Sequence, residues 1–339
     1  MKKTLISSIV MTTVCATAQA ENPVNTDVYG SLRIGLDHID ANSDDDGLNG
    51  RDFLTRVGIK ANQQLTDTLQ VSGQLEYGIG ADFGQKSQPE LRLANVGVRG
   101  NFGAVYYGSQ TTLWHKLVRG AYFSDGNDSL RQGAIRDDDL IQYYYQQGGL
   151  LLAAGLQAEG RDGDDIDQYM AGAEYQLGAL KLQAAYSKDN RGDNKGELVG
   201  ARIWYKINDA FTLSALSHQA DKHYDLYSGN SSGNVKTASV KSVSSCSAEK
   251  RATHALYGQY KFGANMVHGR YAINQCDDSG DASSAKVEYV RFISKKFRTW
   301  LSYEYITLDD ERLETAVAGS AKASEDNVSA IQLGARFDF

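Results

Sequence analysis

Basic side chains recur on the polar face of segments in which polar and apolar residues alternate. Arg33 shares a face with Ser31, opposite Leu32, while Arg56 and Lys60 share the polar face of a second segment. Successive side chains of an extended strand point to opposite sides, so these cations line one side of their strands. A guanidinium group stays charged even beside other cations. The chemistry that such a row offers is electrostatic, because it can orient or select charged and dipolar solutes.

Residues of nucleophilic and metal chemistry show no comparable pattern in the sequence. The six histidines are scattered and lack the spacing of a metal motif such as HExxH. Serines near His218, His223 and His254 leave a barrel hydrolase open as an alternative, but those serines belong to the low-complexity stretch 228–245. We therefore expect no catalytic residues, no bound metal and no cofactor.

The segments that would position the cations alternate with a period of two along the chain. In 180–187, Leu180, Leu182 and Tyr186 lie on one face, and Lys181 and Gln183 lie on the other. A soluble β-sandwich turns its apolar faces inward, whereas a membrane barrel turns them towards lipid and keeps its polar faces in a wet lumen. Alternation alone does not separate these two architectures.

Connection lengths favour an all-β, up-and-down antiparallel transmembrane barrel. Sixteen strands are predicted, and the connections between them alternate between long and short. Long loops at one end and short turns at the other are typical of outer-membrane barrels. The predicted strands span 27–38, 53–62, 69–79, 91–100, 104–111, 139–146, 150–158, 167–177, 180–187, 197–206, 210–218, 251–262, 265–273, 285–294, 298–307 and 327–339.

Residues 1–20 have the pattern of a cleaved signal peptide. Lys2 and Lys3 precede an apolar stretch, and Ala18 and Ala20 supply the small residues that a signal peptidase reads. The apolar stretch is shorter than the roughly 20 residues that a membrane-spanning helix needs. We expect export and cleavage after Ala20, so that 21–339 form a single barrel domain.

Composition narrows the partners. The chain has a net charge of −7, which argues against a nucleic-acid-binding surface. Its 20 tyrosines suit membrane-interface girdles, where one end of the ring is apolar and the other wet. The long predicted loops are acidic, and together with the net charge they favour a weak preference for cations.

Six segments of the chain carry a resemblance to known proteins. They are DVYGSLRIGL at 27–36, TRVGIK at 55–60, LRLANVGVRGNFG at 91–103, GSQT at 108–111, FISKKF at 292–297 and the final Phe339. These segments resemble those of the general diffusion porins of Gram-negative bacteria. They follow that family's order over essentially the whole chain after the leader, although 113–138 lacks the proline-containing tip found in many members.

The resemblance implies a pore constriction. The third loop, 112–138, would fold inward, and Arg92 and Arg136 would join Arg33, Arg56 and Lys60 in a basic wall. Opposed rows of acids and bases would produce a field across the pore. The acidic residues expected on the facing loop and near its return are Asp125, Asp128, Asp137, Asp138 and Asp139.

The resemblance also implies a function and partners. It predicts a homotrimer in the outer membrane whose water-filled channels pass small hydrophilic solutes and ions, with no enzymatic activity. Outer-membrane lipids would surround it, and the barrel-assembly machinery would read the last strand through Phe339. Asn95 and Gly97 are expected on the outward face, where small or polar residues suit a subunit interface.

A sugar-specific channel is a second possibility, although Trp204 and Trp300, which face the lumen by alternation, form no aromatic track.

A disulfide is predicted between Cys246 and Cys276. These are the only cysteines after the leader, and the chain would mature in an oxidising compartment. The two strands joined at 263–264 place both cysteines at the outer rim of one hairpin. Two unpaired thiols remain the alternative.

Overall fold

Alternating segments form strands throughout the part of the chain that the computed structural model describes. That part comprises residues 22–40, 47–80, 89–120, 122–123, 125, 133–158, 166–190, 196–221, 250–276, 281–308 and 327–339. The expected signal peptide, 1–20, lies outside these ranges. Among the described residues, no helix has the length and apolar character needed to cross a membrane.

Strand segments account for most of the described residues. They are β1 Asn25–Asp40, β2 Gly47–Asp52, β3 Arg56–Thr66, β4 Leu69–Gly78, β5 Glu90–Gly100, β6 Gly103–Thr111, β7 Arg136–Gln147, β8 Leu150–Gln157, β9 Gln168–Leu177, β10 Leu180–Asp189, β11 Gly196–Lys206, β12 Phe211–Asp221, β13 Lys250–Phe262, β14 Asn265–Cys276, β15 Ala282–Phe292, β16 Phe297–Leu308 and β17 Asn327–Asp338. A short π-helical turn, His115–Arg119, follows β6.

The strands form one closed antiparallel sheet. From β3 to β17, each segment pairs with its neighbour in the chain, and β17 returns to pair with β1, from Ser31 opposite Asp338 to Asp40 opposite Ser329. Both β2 and β3 pair with β1, so these two segments form a single stave. The described residues therefore build a sixteen-stave barrel, as the sequence predicts.

One predicted strand differs from the structure. The second strand was expected over 53–62, after a connection at 39–52, but its stave begins within that connection, at Gly47, and is interrupted between Asp52 and Arg56. Asp52 Oδ1 accepts hydrogen bonds from the backbone N–H groups of Leu54 and Thr55, at 2.7 and 2.8 Å. Leu54 has a φ of 76°, a left-handed conformation that is costly for a branched side chain. The carboxylate thus satisfies the donors that the interrupted sheet leaves unpaired.

Several neighbouring strands are joined by turns of only two residues. Two-residue turns at 148–149, 178–179 and 263–264 each begin with a glycine whose φ is 56°. Tight hairpins require a positive φ at this position, and glycine adopts it without a steric penalty. These turns hold successive strands in register.

The two faces of the sheet differ in chemistry. Leu32, Ile34 and Val96 lie on the outer face with 42%, 46% and 62% of their surface exposed, while Arg33, between the first two, is 4% exposed. The outer face is apolar and the inner face carries charge, which is the arrangement of a membrane barrel rather than a soluble sandwich.

Asn95 and Gly97 lie on the inner face, not on the outer face as the sequence suggested. Asn95 pairs with Gln74, and a Cβ on Gly97 would collide with the ring of Tyr106 inside the barrel. The register of β4 and β5 shifts at Tyr77, and this shift changes which side chains of β5 point inward. These two residues therefore give no indication of a subunit interface.

Candidate functional site

The first described part of the segment after β6 packs against the inner wall of the barrel. Trp114 and Leu117 are almost fully buried, and they join an apolar cluster with wall residues that include Leu140 and Leu198. His218, buried beneath the ring of Trp114, places Nε2 3.2 Å from the carbonyl oxygen of Val118. Apolar burial of this kind contributes about 1.5–3 kcal/mol per large side chain.

Small side chains on neighbouring strands make room for this segment. A Cβ on Gly200 would lie 2.5 Å from Cη2 of Trp114, and one on Gly172 would collide with Leu117. The small residues occupy one row across β8 to β11, since each is the register partner of the next. The row, which we call the small-residue row, is Ala153, Gly172, Ala185 and Gly200.

Farther along, two aromatic rings attach the same segment to the next strands. Tyr122 stacks on Tyr257 with ring centroids 4.4 Å apart, and the guanidinium carbon of Arg202 lies 4.1 Å from the Tyr122 ring centre. The ring of Phe123 lies 4.6 Å from that of His268, and the ammonium of Lys286 is 4.8 Å from the Phe123 ring centre. Cation–π contacts away from water can reach about 2 kcal/mol each.

Asp125 is held by two arginines of the last two strands. Its carboxylate accepts hydrogen bonds from Nε and Nη2 of Arg298 at 2.6 and 2.8 Å, and from Nη1 of Arg336 at 3.0 Å. Burial acts to raise the pKa of Asp125, but the hydrogen bonds and charges of Arg298 and Arg336 outweigh it and lower the pKa below its ordinary value. We call this contact the Asp125 clamp.

Sequence reasoning missed both partners of Asp125. Arg298 and Arg336 lie on the inward face of their strands, and they are also register partners of each other. Arg336 stands opposite Arg33 in β1. The alternation that identified Arg33 would have identified them too, because Arg336 falls on the polar face of the last predicted strand.

The expected basic wall surrounds a carboxylate that was not anticipated. Glu76 Oε1 accepts a hydrogen bond from Nε of Arg92 at 2.8 Å, and its Oε2 lies 4.0 Å from Nε of Arg56. Tyr29 donates a hydrogen bond to Glu76 at 3.0 Å, and Lys60 lies over the Tyr29 ring at 4.7 Å. Glu76 is therefore part of the wall, and it offsets some of the wall's positive charge.

Charged groups continue on both sides of this cluster. Arg136 interacts electrostatically with Arg92 and Glu90, and Arg33 interacts with Arg56, Arg336 and Asp125. Together these groups form a curved row on the inner wall, from β7 through β5, β4, β3, β1 and β17 to β16. The members of this row, which we call the charged arc, are Arg136, Glu90, Arg92, Glu76, Arg56, Arg33, Asp338, Arg336, Asp125 and Arg298.

The other expected acids occupy varied surroundings. Asp137 is buried in β7, and Gln157 donates a hydrogen bond to the Asp138 carboxylate at 3.1 Å. Asp139 accepts one at 3.2 Å from Tyr107, a residue of the outer face that is half exposed. The structure therefore does not bring Asp139 to the charged arc. Asp128 lies outside the described residues.

The remaining expected residues lie near the ends of strands. Phe339 exchanges two backbone hydrogen bonds with Gly30, at 3.0 and 3.1 Å. Cys276, at the end of β14, is buried and disulfide-bonded. Cys246 lies outside the described residues, so the pairing of these two cysteines stays a prediction. Within the described ranges, no three His, Cys, Asp or Glu residues are grouped as metal ligands.

The chain is similar to known outer-membrane proteins. The family described as Gram-negative porin matches residues 7–311. An outer membrane porin protein of Bordetella pertussis is 25% identical over 240 residues, and outer membrane porin protein OmpD of Salmonella typhimurium is 24% identical over 327 residues. These matches cover 58% and 87% of this chain. The chain spans 62% of the length of the Bordetella protein and 88% of that of the Salmonella protein.

A solved structure has the same fold. In-vitro folded OmpT of Vibrio cholerae, in its trimer form, superposes with a TM-score of 0.63 at 18% identity. The match covers 94% of this chain and 100% of that one.

Proposed function

The chain belongs to the Gram-negative porin family, and from that premise we propose that it forms a water-filled channel in the outer membrane. Small hydrophilic solutes and ions would cross it by passive diffusion. The observation that carries this proposal is the closed sheet with an apolar outer face and a charged inner face. Such a sheet places its charges around an aqueous path and its apolar side chains against lipid.

In this proposal, the described residues of the third loop, 112–120, 122–123, 125 and 133–138, form the constriction together with the charged arc. The loop narrows the lumen because Trp114, Leu117, Tyr122 and Phe123 hold it against the inner wall. Arg33, Arg56, Arg92 and Arg136, with Lys60 beside them, supply the basic wall. Two unit charges 4 Å apart interact by about 1 kcal/mol in water and about 4 kcal/mol at an effective dielectric constant of 20. Charges at this spacing select among solutes by their charge and polarity.

The channel is a homotrimer without catalytic activity. The trimer form of OmpT, which shares this fold, supports the assembly. No chemistry beyond diffusion is needed, because the inner face offers fixed charges and hydrogen-bonding groups along a pore. The last strand, which ends in Phe339, is the segment that the barrel-assembly machinery would recognise.

A sugar-specific channel has less support. Sugar channels use lines of exposed aromatic rings, but Trp300 is buried against Phe53. Trp204 packs against Tyr122 and Arg202, where it belongs to the attachment of the loop. Neither ring is placed to pass a sugar along the pore.

Conductance of the purified protein in planar lipid bilayers tests the proposal. We expect ohmic current that rises in proportion to salt concentration and closes in three equal steps, one for each subunit of a trimer. Maltose and glucose should leave the current unchanged, whereas block by either sugar would favour the sugar channel. Release of fatty acids from the bilayer lipid would favour a hydrolase. A protein that inserts in its folded state but passes no current would contradict the proposal.

A further inference from the structure

The residues that the structure describes have a different charge balance from the chain as a whole. Half of the 42 acidic residues lie outside the described ranges, but only about a third of the 35 basic residues do. The described residues contain 23 lysines and arginines against 21 aspartates and glutamates. The described residues therefore carry a net charge of 23 − 21 = +2, against −7 for the whole chain.

The charged arc is more basic than the described residues taken together. It has six arginines and four carboxylates, and all ten groups belong to described residues. Asp125, which was expected to face the basic wall from across the pore, lies within the arc between Arg298 and Arg336. The negative charge of Asp125 is therefore neutralised by Arg298 and Arg336, and Asp125 does not form an acidic row on the opposite side of the pore.

The carboxylates of the arc are unevenly spaced. Glu76 lies between Arg92 and Arg56, while Asp338 lies beside Arg336 and 3.9 Å from Nη1 of Arg298. Between these two carboxylates stand Arg56 and Arg33, whose charges act on each other. Arg56 is opposite Ser31 in the register of β1 and β3, which brings the two guanidinium groups to the same level of the wall.

We propose that the constriction prefers anions, and that small oxyanions, carrying a carboxylate or phosphate group, pass along Arg56, while the buried guanidinium of Arg33 adds its positive charge from behind. The proposal rests on the channel function and names the class of solute that the channel favours. Guanidinium groups recognise planar and tetrahedral oxyanions through paired hydrogen bonds. An anion between two like-charged guanidinium groups relieves their mutual repulsion, whereas a cation adds to it. The placement of charges thus opposes the cation preference that the net charge suggests.

Reversal potentials in asymmetric potassium chloride test the preference. We expect chloride to be several-fold more permeant than potassium at 0.1 M salt, where the Debye length is about 10 Å. At 1 M, where it is about 3 Å, the ratio should approach one. Arg56→Gln should lower the chloride-to-potassium ratio at least twofold. Arg291→Gln is the matched control, because Arg291 lies on the outer face beside Asn265 and its replacement removes the same charge.

Phosphate provides a second measurement on the same channels. Millimolar phosphate should reduce the chloride current of the parent channel by competition, and Arg56→Gln should lose most of that effect. A parent channel that prefers potassium, or an Arg56→Gln channel that matches Arg291→Gln in both measurements, would overturn the anion preference while the channel function stands. If the folded protein passes no current at all, the channel function fails and the selectivity fails with it.

Discussion

Asp125 shows how one carboxylate can hold a loop against a barrel wall. It accepts three hydrogen bonds from two guanidinium groups, and its own side chain is almost fully buried. Hydrogen bonds to charged groups contribute about 1.5–3 kcal/mol each. The clamp therefore holds the third loop at Asp125 more firmly than a surface ion pair would.

Asp125→Asn should loosen the tip of the loop. The amide keeps one acceptor but loses the charge, so two arginines are left beside a neutral group. We expect noisier single-channel currents and faster proteolysis within the third loop. Asp209→Asn is the control, since Asp209 pairs with Lys206 in an exposed turn. Equal current noise in the two variants would contradict the clamp.

The clamp should also respond to acid in one direction. The folded pKa of Asp125 is lowered, so the carboxylate stabilises the attached loop above its unfolded pKa of about 3.9, and this contribution is lost as the pH falls through the lower folded value. Current noise should therefore stay constant from pH 8 to pH 5 and rise only below about pH 4. In Asp125→Asn, the step below pH 4 should be absent. A rise of current noise between pH 7 and pH 5 in the parent channel would contradict the role given to the Asp125 carboxylate.

Single residues were predictable from the sequence where alternation alone places them. Arg33, Arg56 and Lys60 follow from the parity of their strands. Alternation also places Arg298 and Arg336 on the inner face, but their pairing with Asp125 did not follow, because strands β16 and β17 lie far along the chain from the third loop. Glu76 was also missed, although the predicted up-and-down order already places its strand, 69–79, between those of Arg56 and Arg92.

At the scale of elements, the break between β2 and β3 is a point of local strain. Leu54→Gly should relieve a left-handed leucine, which costs about 1–2 kcal/mol, against a loss of about 0.5–1 kcal/mol from the flexibility of glycine. We expect the variant to be as stable as the parent or up to about 1 kcal/mol more stable in urea unfolding. Leu48→Gly, on the outer face of β2, should instead destabilise. Equal destabilisation by both would mean that Leu54 carries no strain.

The small-residue row sets how closely the third loop approaches the wall. Gly200→Ala adds a methyl group 2.5 Å from Trp114, so the loop must move towards the lumen. Overpacking of this kind costs about 1–3 kcal/mol. We expect a lower melting temperature and a changed single-channel conductance. Gly258→Ala, whose new Cβ would meet only an ordinary contact at 3.5 Å, should match the parent in both.

The predicted disulfide belongs to the connection that follows β12. Cys276 ends β14, opposite Arg251 at the start of β13, so a bond to Cys246 would tie the base of that connection to the barrel. Peptide mapping without reductant should recover a cross-linked pair containing Cys246 and Cys276. Two alkylatable thiols in protein purified without reductant would show that the pairing is wrong.

Strands were predictable from the sequence because alternation and connection length are both local. Fifteen of the sixteen staves appear within about three residues of where these patterns place them, whereas the stave of β2 and β3 begins at Gly47, inside the stretch 39–52 that was expected to be a connection. The break after Asp52 was not predictable, since it depends on a side-chain carboxylate that replaces strand hydrogen bonds. The inward placement of Asn95 and Gly97 was missed for a related reason: a register shift reverses the faces of a strand without a mark in its alternation.

At the scale of the whole molecule, the proposed trimer can be measured directly. Light scattering of the detergent-solubilised protein should give three times the mass of one chain, after the detergent is subtracted. Heating should convert this species into monomers at the temperature at which the β-sheet signal is lost. A monomer that keeps its full β-sheet signal would show that the barrel does not need partners.

The pairing of β1 with β17 has a consequence for biogenesis. β1 is synthesised first, but one of its two edges can form hydrogen bonds only after β17 and Phe339 have been synthesised. Contacts between the two ends of a chain form slowly, and an open sheet meanwhile exposes an adhesive edge. A chain truncated before β17 would keep both edges open. The pairing of β1 with β17 is therefore the last step of folding, and its completion distinguishes a finished barrel from an open sheet.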